Sequence, residues 1–204
     1  MPGSGGPAGN ARLTAWTGLA LLVLFLVELT TLFDLEGLIS WHIVVGVLLV
    51  PPALLKTATT GWRIARYYTD RPAYRRAGPP PMPLRVLGPL VVLLTLAALG
   101  TGLALIPLGP EASWAPLATL AGQNISALTL HKTTAIAWTL TTSLHTIGRL
   151  VPALRITGLG NKATRVPGRM SRAGVLLLTL VIATATAILL LSASGSWVTP
   201  THHP

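Results

Sequence analysis

The stretch LISWHIVVGVLLVPPALLKTAT, residues 38–59, is interrupted by only two ionisable side chains, His42 and Lys56. At 1.5 Å per residue, a helix of this length crosses the roughly 30 Å hydrocarbon core of a bilayer. Four more stretches meet the same requirement: 13–33, 84–106, 127–151 and 173–191. The whole chain agrees, with 204 residues that are 51% hydrophobic and 10% charged and a mean hydropathy of +0.64. Such a composition does not suit a water-exposed surface. The expected fold is an all-α integral membrane protein with five transmembrane helices, the first four forming a bundle and the fifth packed outside it. Residues 1–12 are expected to form a flexible Gly/Pro/Ser-rich lead, 13–155 the four-helix unit, and 156–204 a basic loop, the fifth helix and an outer tail. The first apolar run follows Arg12 but is about twice the length of a signal-peptide core, so it is expected to be retained.

A net charge of +10 would suggest nucleic acid in a soluble protein, but here the basic residues fall between apolar runs. All Lys and Arg except Lys132 lie before the first span, between the second and third, or between the fourth and fifth. By the positive-inside rule the N-terminus is expected in the cytoplasm and the C-terminus outside, in a bacterial inner membrane. Anionic lipid headgroups, with no nucleic acid, are the expected partners of this charge. The segment 62–85, with three tyrosines, six arginines and a proline run at 79–81, is expected to be an extended linker along the membrane surface. Gly158, Gly160 and Asn161 mark a turn in the second basic loop, and Pro51-Pro52 is expected to kink the second span. Asn124-Ile125-Ser126 matches a glycosylation sequon and is assigned no role.

With no cysteine in the chain, thiolate metal sites and covalent c-type haem attachment are excluded. Ionisable residues inside a membrane are costly and mark function, which singles out Glu28, His42, Lys56, His131 and His145. His131 and His145 are 14 positions apart, about 40° from whole turns, so they share a helix face about 21 Å apart. His42 and Lys56 have the same separation. Since the second and fourth spans run in the same direction, His42 lies level with His131 and Lys56 with His145. The two faces read His42, Gly46, Leu49, Ala53, Lys56 and His131, Ala135, Trp138, Thr142, His145. Small residues flank each polar level and would admit a flat macrocycle, while Leu49 and Trp138 fill the middle. This is a layout for haem between helices, with His42 and His131 as the two axial ligands. Gly100 and Gly102, and Thr179, Ala183 and Ala187, are expected to be packing faces.

These residues resemble the bacterial membrane b-type cytochromes of the cytochrome b561 and hydrogenase-type cytochrome b group. The resemblance covers about residues 12–155 and rests on Ser40-Trp41-His42-x3-Gly46, Leu130-His131-Lys132, the step to His145, and Thr60-Gly61-Trp62-Arg63 with Arg66-Tyr67-Tyr68. It implies non-covalent haem b, one group and room for a second, and transmembrane electron transfer between a periplasmic oxidoreductase and quinone. It also implies an electron-transfer subunit more than a self-contained enzyme. The family often draws a further histidine from the first helix, where this chain has Thr14 and Trp16. At the inner level three readings stay open: Lys56 and His145 ligating a second iron, Lys56 and Arg149 holding haem propionates or lipid headgroups, or no ligand. A lysine ligates iron only when neutral, against a reference pKa of about 10.4. Glu28 is read either as a carboxyl snorkelling outward or bonding to Thr31, or as a proton acceptor beside a quinone or haem edge. The competing functions are a haem-free anchor protein and a small transporter or proton pathway through Glu28, His42 and His131.

Overall fold

The computed structural model describes residues 6–78, 82–159 and 166–198. The prolines at 79–81, the turn residues Gly160 and Asn161, Lys162, Arg165 and the tail with His202 and His203 lie outside the described residues. The chain runs as α1 (Gly6–Thr31), a 3-10 turn (Leu32–Asp34), α2 (Ile39–Tyr68), α3 (Pro72–Arg76), α4 (Met82–Trp114), β1 (Pro116–Leu120), β2 (Gln123–Ser126), α5 (Ala127–Thr157), α6 (Arg169–Ala193) and α7 (Gly195–Val198). Four of these, α1 with its 3-10 turn, α2, α4 and α6, are long and apolar enough to cross a membrane. The protein is thus an α-helical multi-pass membrane protein in its helices. The fifth long helix, α5, spans 31 residues but is diluted by eight hydroxyl residues and two histidines between Thr129 and Thr146.

Four of the long helices close into a ring. α1 packs on α2, α4 on α5, α1 on α5 and α2 on α4. α2 and α5 therefore stand diagonally across the bundle axis. At its centre Phe25, Leu49, Ala98 and Trp138, one from each helix, form a buried cluster. The Phe25 and Trp138 rings meet edge-on at 5.2 Å, and Trp138 Nε1 donates to Thr95 Oγ1 at 2.9 Å, so the indole is satisfied without water. α6 lies outside the ring on α2, where Ala187 joins Val47 and Ile106 in a second cluster. Ala183 and Ala187 are buried, as their small size on a packing face predicts. Large apolar side chains such as Val23, Leu93, Leu177 and Ile188 point away from the bundle and are exposed, which suits contact with lipid tails.

Several element limits depart from the sequence reading, because hydropathy marks the hydrocarbon slab and not the end of a helix. α1 starts at Gly6, within the stretch expected to be a flexible lead. Asn10 Nδ2 donates to the Thr59 carbonyl at 3.0 Å and Arg12 Nε to the Ile156 carbonyl at 3.1 Å, tying this end of α1 to the far ends of α2 and α5. The surface segment is mostly helical instead of extended. α2 continues to Tyr68, with Arg66 stacked 4.1 Å over Trp62 one turn away, and α3 follows. Pro51 and Pro52 both lie inside α2. After α4 breaks at Gly109 (φ 72), an unforeseen antiparallel hairpin crosses to α5. It turns at Ala121 and Gly122, both with positive φ, as tight hairpin turns require. Ser126 then caps α5 by accepting from the Thr129 amide.

Candidate functional site

The diagonal pair α2 and α5 brings His42 and His131 face to face near the same end of the bundle. Their ring centroids are 6.3 Å apart and the planes are inclined at 69°. Each ring is held from its Nδ1 side by a neighbouring helix. On α1, Glu28 Oε1 lies 3.0 Å from His42 Nδ1, and Thr31 Oγ1 also lies 3.0 Å from it. On α4, Thr101 Oγ1 lies 3.2 Å from His131 Nδ1.

The hydroxyl bonds fix the tautomers. A threonine hydroxyl has one proton, and that of Thr31 is donated to the Glu28 carbonyl at 2.6 Å. Thr101 donates to the Ala97 carbonyl at 2.7 Å. With those protons on the carbonyls and Glu28 ionised, both rings donate from Nδ1, which puts the lone pair on Nε2. Among the described residues neither Nε2 has a hydrogen-bond partner. Two neutral imidazoles with Nδ1–H engaged and Nε2 free are the form in which histidine binds a metal, and the Nδ1 partners are its usual outer support.

The spacing fits the same use. A metal–imidazole bond of about 2 Å and about 1.1 Å from the nitrogen to the ring centre place two trans imidazoles with centroids about 6.2 Å apart. The observed separation is 6.3 Å. Among the described residues no group of three or more His, Cys, Asp or Glu side chains gathers as a metal cluster. A pair of imidazoles suffices only for a metal whose other ligands come with it, as in a macrocycle. The donor set therefore fits haem.

The structure brings together His42 with His131 as their level predicts, and places Leu49 and Trp138 directly inward of them. A Cβ on Gly46 would stand 3.4 Å from Glu28 Oε1, an ordinary contact, so Glu28 lies beside this glycine. Gly102 is the tighter position, since a Cβ there would stand 2.9 Å from His131 Cε1. Gly100, expected to pack, has nothing within 4 Å. Ala135, one turn beyond His131, is partly buried. Glu28 does not snorkel outward: it is buried, with Oε1 on His42 and Oε2 without a hydrogen-bond partner. Thr31, Thr101 and Gly102 as supports of the rings were not anticipated as such. Their signal in the sequence is faint, because a hydroxyl or a glycine is ordinary in a membrane helix.

Gly102→Ala is expected to push the His131 ring off Thr101 and to destabilise the protein by about 1–3 kcal/mol, the usual cost of overpacking. Gly100→Ala should be neutral within about 0.5 kcal/mol. Thermal unfolding of both variants in detergent checks this, and equal midpoints would mean that the ring does not depend on the close approach. At the inner level, Lys56 reaches α1, with Nζ 3.0 Å from the position of a Cβ on Gly18. His145 Nδ1 and Thr142 Oγ1 are buried there without hydrogen-bond partners. No family model, curated protein or solved structure matches this chain.

Proposed function

We propose that this chain is a transmembrane electron-transfer protein that holds haem b between His42 and His131. The observation that carries the proposal is the matched pair of Nδ1-donating imidazoles, 6.3 Å apart, on helices that face across the bundle axis. When bound, haem b supplies a one-electron couple at its iron. His42 and His131 would both ligate the iron, which suits a carrier more than a self-contained enzyme. Glu28, Thr31 and Thr101 hold the rings in the ligating tautomer. Phe25, Leu49 and Trp138 close the inner side of the site to water.

In this reading α5 is a fifth span whose polar face is turned inward, because the bundle and its ligand shelter it from lipid. The basic residues set the N-terminus in the cytoplasm of a bacterium, and the histidine pair then lies toward the periplasm. That position suits electron exchange with a periplasmic oxidoreductase and, across the membrane, with quinone. The resemblance to the cytochrome b561 and hydrogenase-type cytochrome b group supports the same assignment. Lys56 and His145 as ligands of a second iron have weaker support, since the structure shows cations and unpartnered polar atoms there but no second imidazole. Absorbance of the purified, dithionite-reduced protein tests the proposal. A Soret band and a sharp α-band with one haem per chain by pyridine haemochrome are expected. A colourless protein from haem-replete cells would overturn it in favour of an anchor.

A further inference from the structure

The inner end of the bundle gathers cations that no carboxylate side chain among the described residues neutralises. Lys56 of α2 lies against Gly18 of α1. Arg149 of α5 lies within electrostatic range of Lys56 and His145, and Arg63 of α2 within range of Arg149. The chain has only five carboxylate side chains, and none stands at this level. Glu28 is on His42, Asp34 and Glu36 sit at the turn after α1, Asp70 pairs with Arg75 in the surface segment, and Glu111 follows the Gly109 break at the outer end of α4. Buried charge is costly unless paired. Thr142 Oγ1 and His145 Nδ1 are buried without hydrogen-bond partners on the same face. They offer hydrogen bonds that no group among the described residues takes up.

We infer that Lys56, Arg149, His145 and Thr142 form a binding site for an oxyanion of the phosphate class, carried by a phospholipid headgroup or free in solution. Lysine acts as a compact point charge and the arginine fork takes two oxygens at once. Thr142 and His145 complete the site with short-range bonds, and the absence of a side chain at Gly18 leaves room for the Lys56 ammonium. The Leu49–Trp138 layer separates this site from the histidine pair, so it stands whether or not the outer site holds haem.

The test uses the full chain, delipidated in a neutral detergent, with thermal unfolding followed by tryptophan fluorescence. Dioleoylphosphatidylglycerol is titrated against dioleoylphosphatidylcholine, and inorganic phosphate against chloride at equal ionic strength. Phosphatidylglycerol is expected to raise Tm by several degrees, growing with the logarithm of its concentration once bound. Lys56→Met and Arg149→Gln should each lose at least half of that rise, whereas Arg71→Gln with Arg76→Gln on the exposed segment should keep it. Lys56→Met, which retains the stem and drops the charge, should also raise Tm in the absence of anion. An equal, Lys56-dependent rise with inorganic phosphate would assign the site to a free anion. A rise that survives both inner variants, or no rise with either anion, would overturn the inference.

Discussion

Replacing His42 or His131 by alanine is expected to remove the low-spin haem signal and to lower haem affinity by more than about 100-fold. That exceeds the 10–100-fold usual for losing a partner one shell out from a metal. The two changes should be equivalent in the spectrum, because in the proposed site each ring would supply one nitrogen to the iron, and the rings stand 6.3 Å apart. They should not be equivalent in stability. His42→Ala leaves the Glu28 carboxyl buried without the ring that Oε1 touches, beside an Oε2 that has no partner among the described residues. His131→Ala frees only the Thr101 hydroxyl, which still bonds to the Ala97 carbonyl. Exogenous imidazole separates ligation from folding, since it can fill the vacated space and restore the six-coordinate spectrum in either variant. Wild-type spectra and stoichiometry in both single mutants would sink the assignment.

The pairing of His42 with His131 was legible in the sequence because two things coincide there. The 14-residue steps place His42 with Lys56 and His131 with His145 on single faces, and parallel helices hold those faces level. The partners of the rings were not legible, for a physical reason. α1 and α4 are apolar on nearly every side, so no amphipathic stripe tells which way Glu28, Thr31, Thr101 or Gly102 points. Packing against α2 and α5 sets that rotation, and only coordinates reveal it. Helix ends were misjudged for a related reason. α2 continues through Trp62 and Arg66 to Tyr68 because backbone bonding and the Trp62–Arg66 contact persist beyond the hydrocarbon. The β1–β2 hairpin carries no Asn-Gly or Asp-Gly turn, and its left-handed pair is Ala121-Gly122, a weak signal. The inner cluster was visible as residues, but its lack of counter-charge emerged only once all five carboxylates had been placed.

Glu28→Gln is expected to raise the midpoint potential of the bound haem by on the order of 50–100 mV, about one to two decades in the redox equilibrium at 59 mV per decade. Glu28 Oε1 lies 3.0 Å from His42 Nδ1 in a buried setting, where charge is poorly screened. On the proposed haem ligation, an ionised Glu28 would enrich the electron density at Nε2 and favour the oxidised iron, which carries one more positive charge than the reduced form. Glutamine keeps the shape and an acceptor oxygen but not the charge, so the oxidised form loses its stabilisation and the potential climbs. Haem content should be unchanged, because His42 and its Thr31 contact remain. A spectroelectrochemical titration on the α-band reads the shift. A wild-type midpoint in Glu28→Gln with haem still bound would show that Glu28 only fills space beside Gly46. Absence of haem from the wild-type protein would instead reject the cytochrome reading itself, so the two failures are told apart. Thr31→Val adds the complementary measurement: it removes a neutral acceptor from the same Nδ1, and should move the potential in the same direction by less than half as much, because a hydroxyl dipole polarises the ring less than a full charge at equal distance.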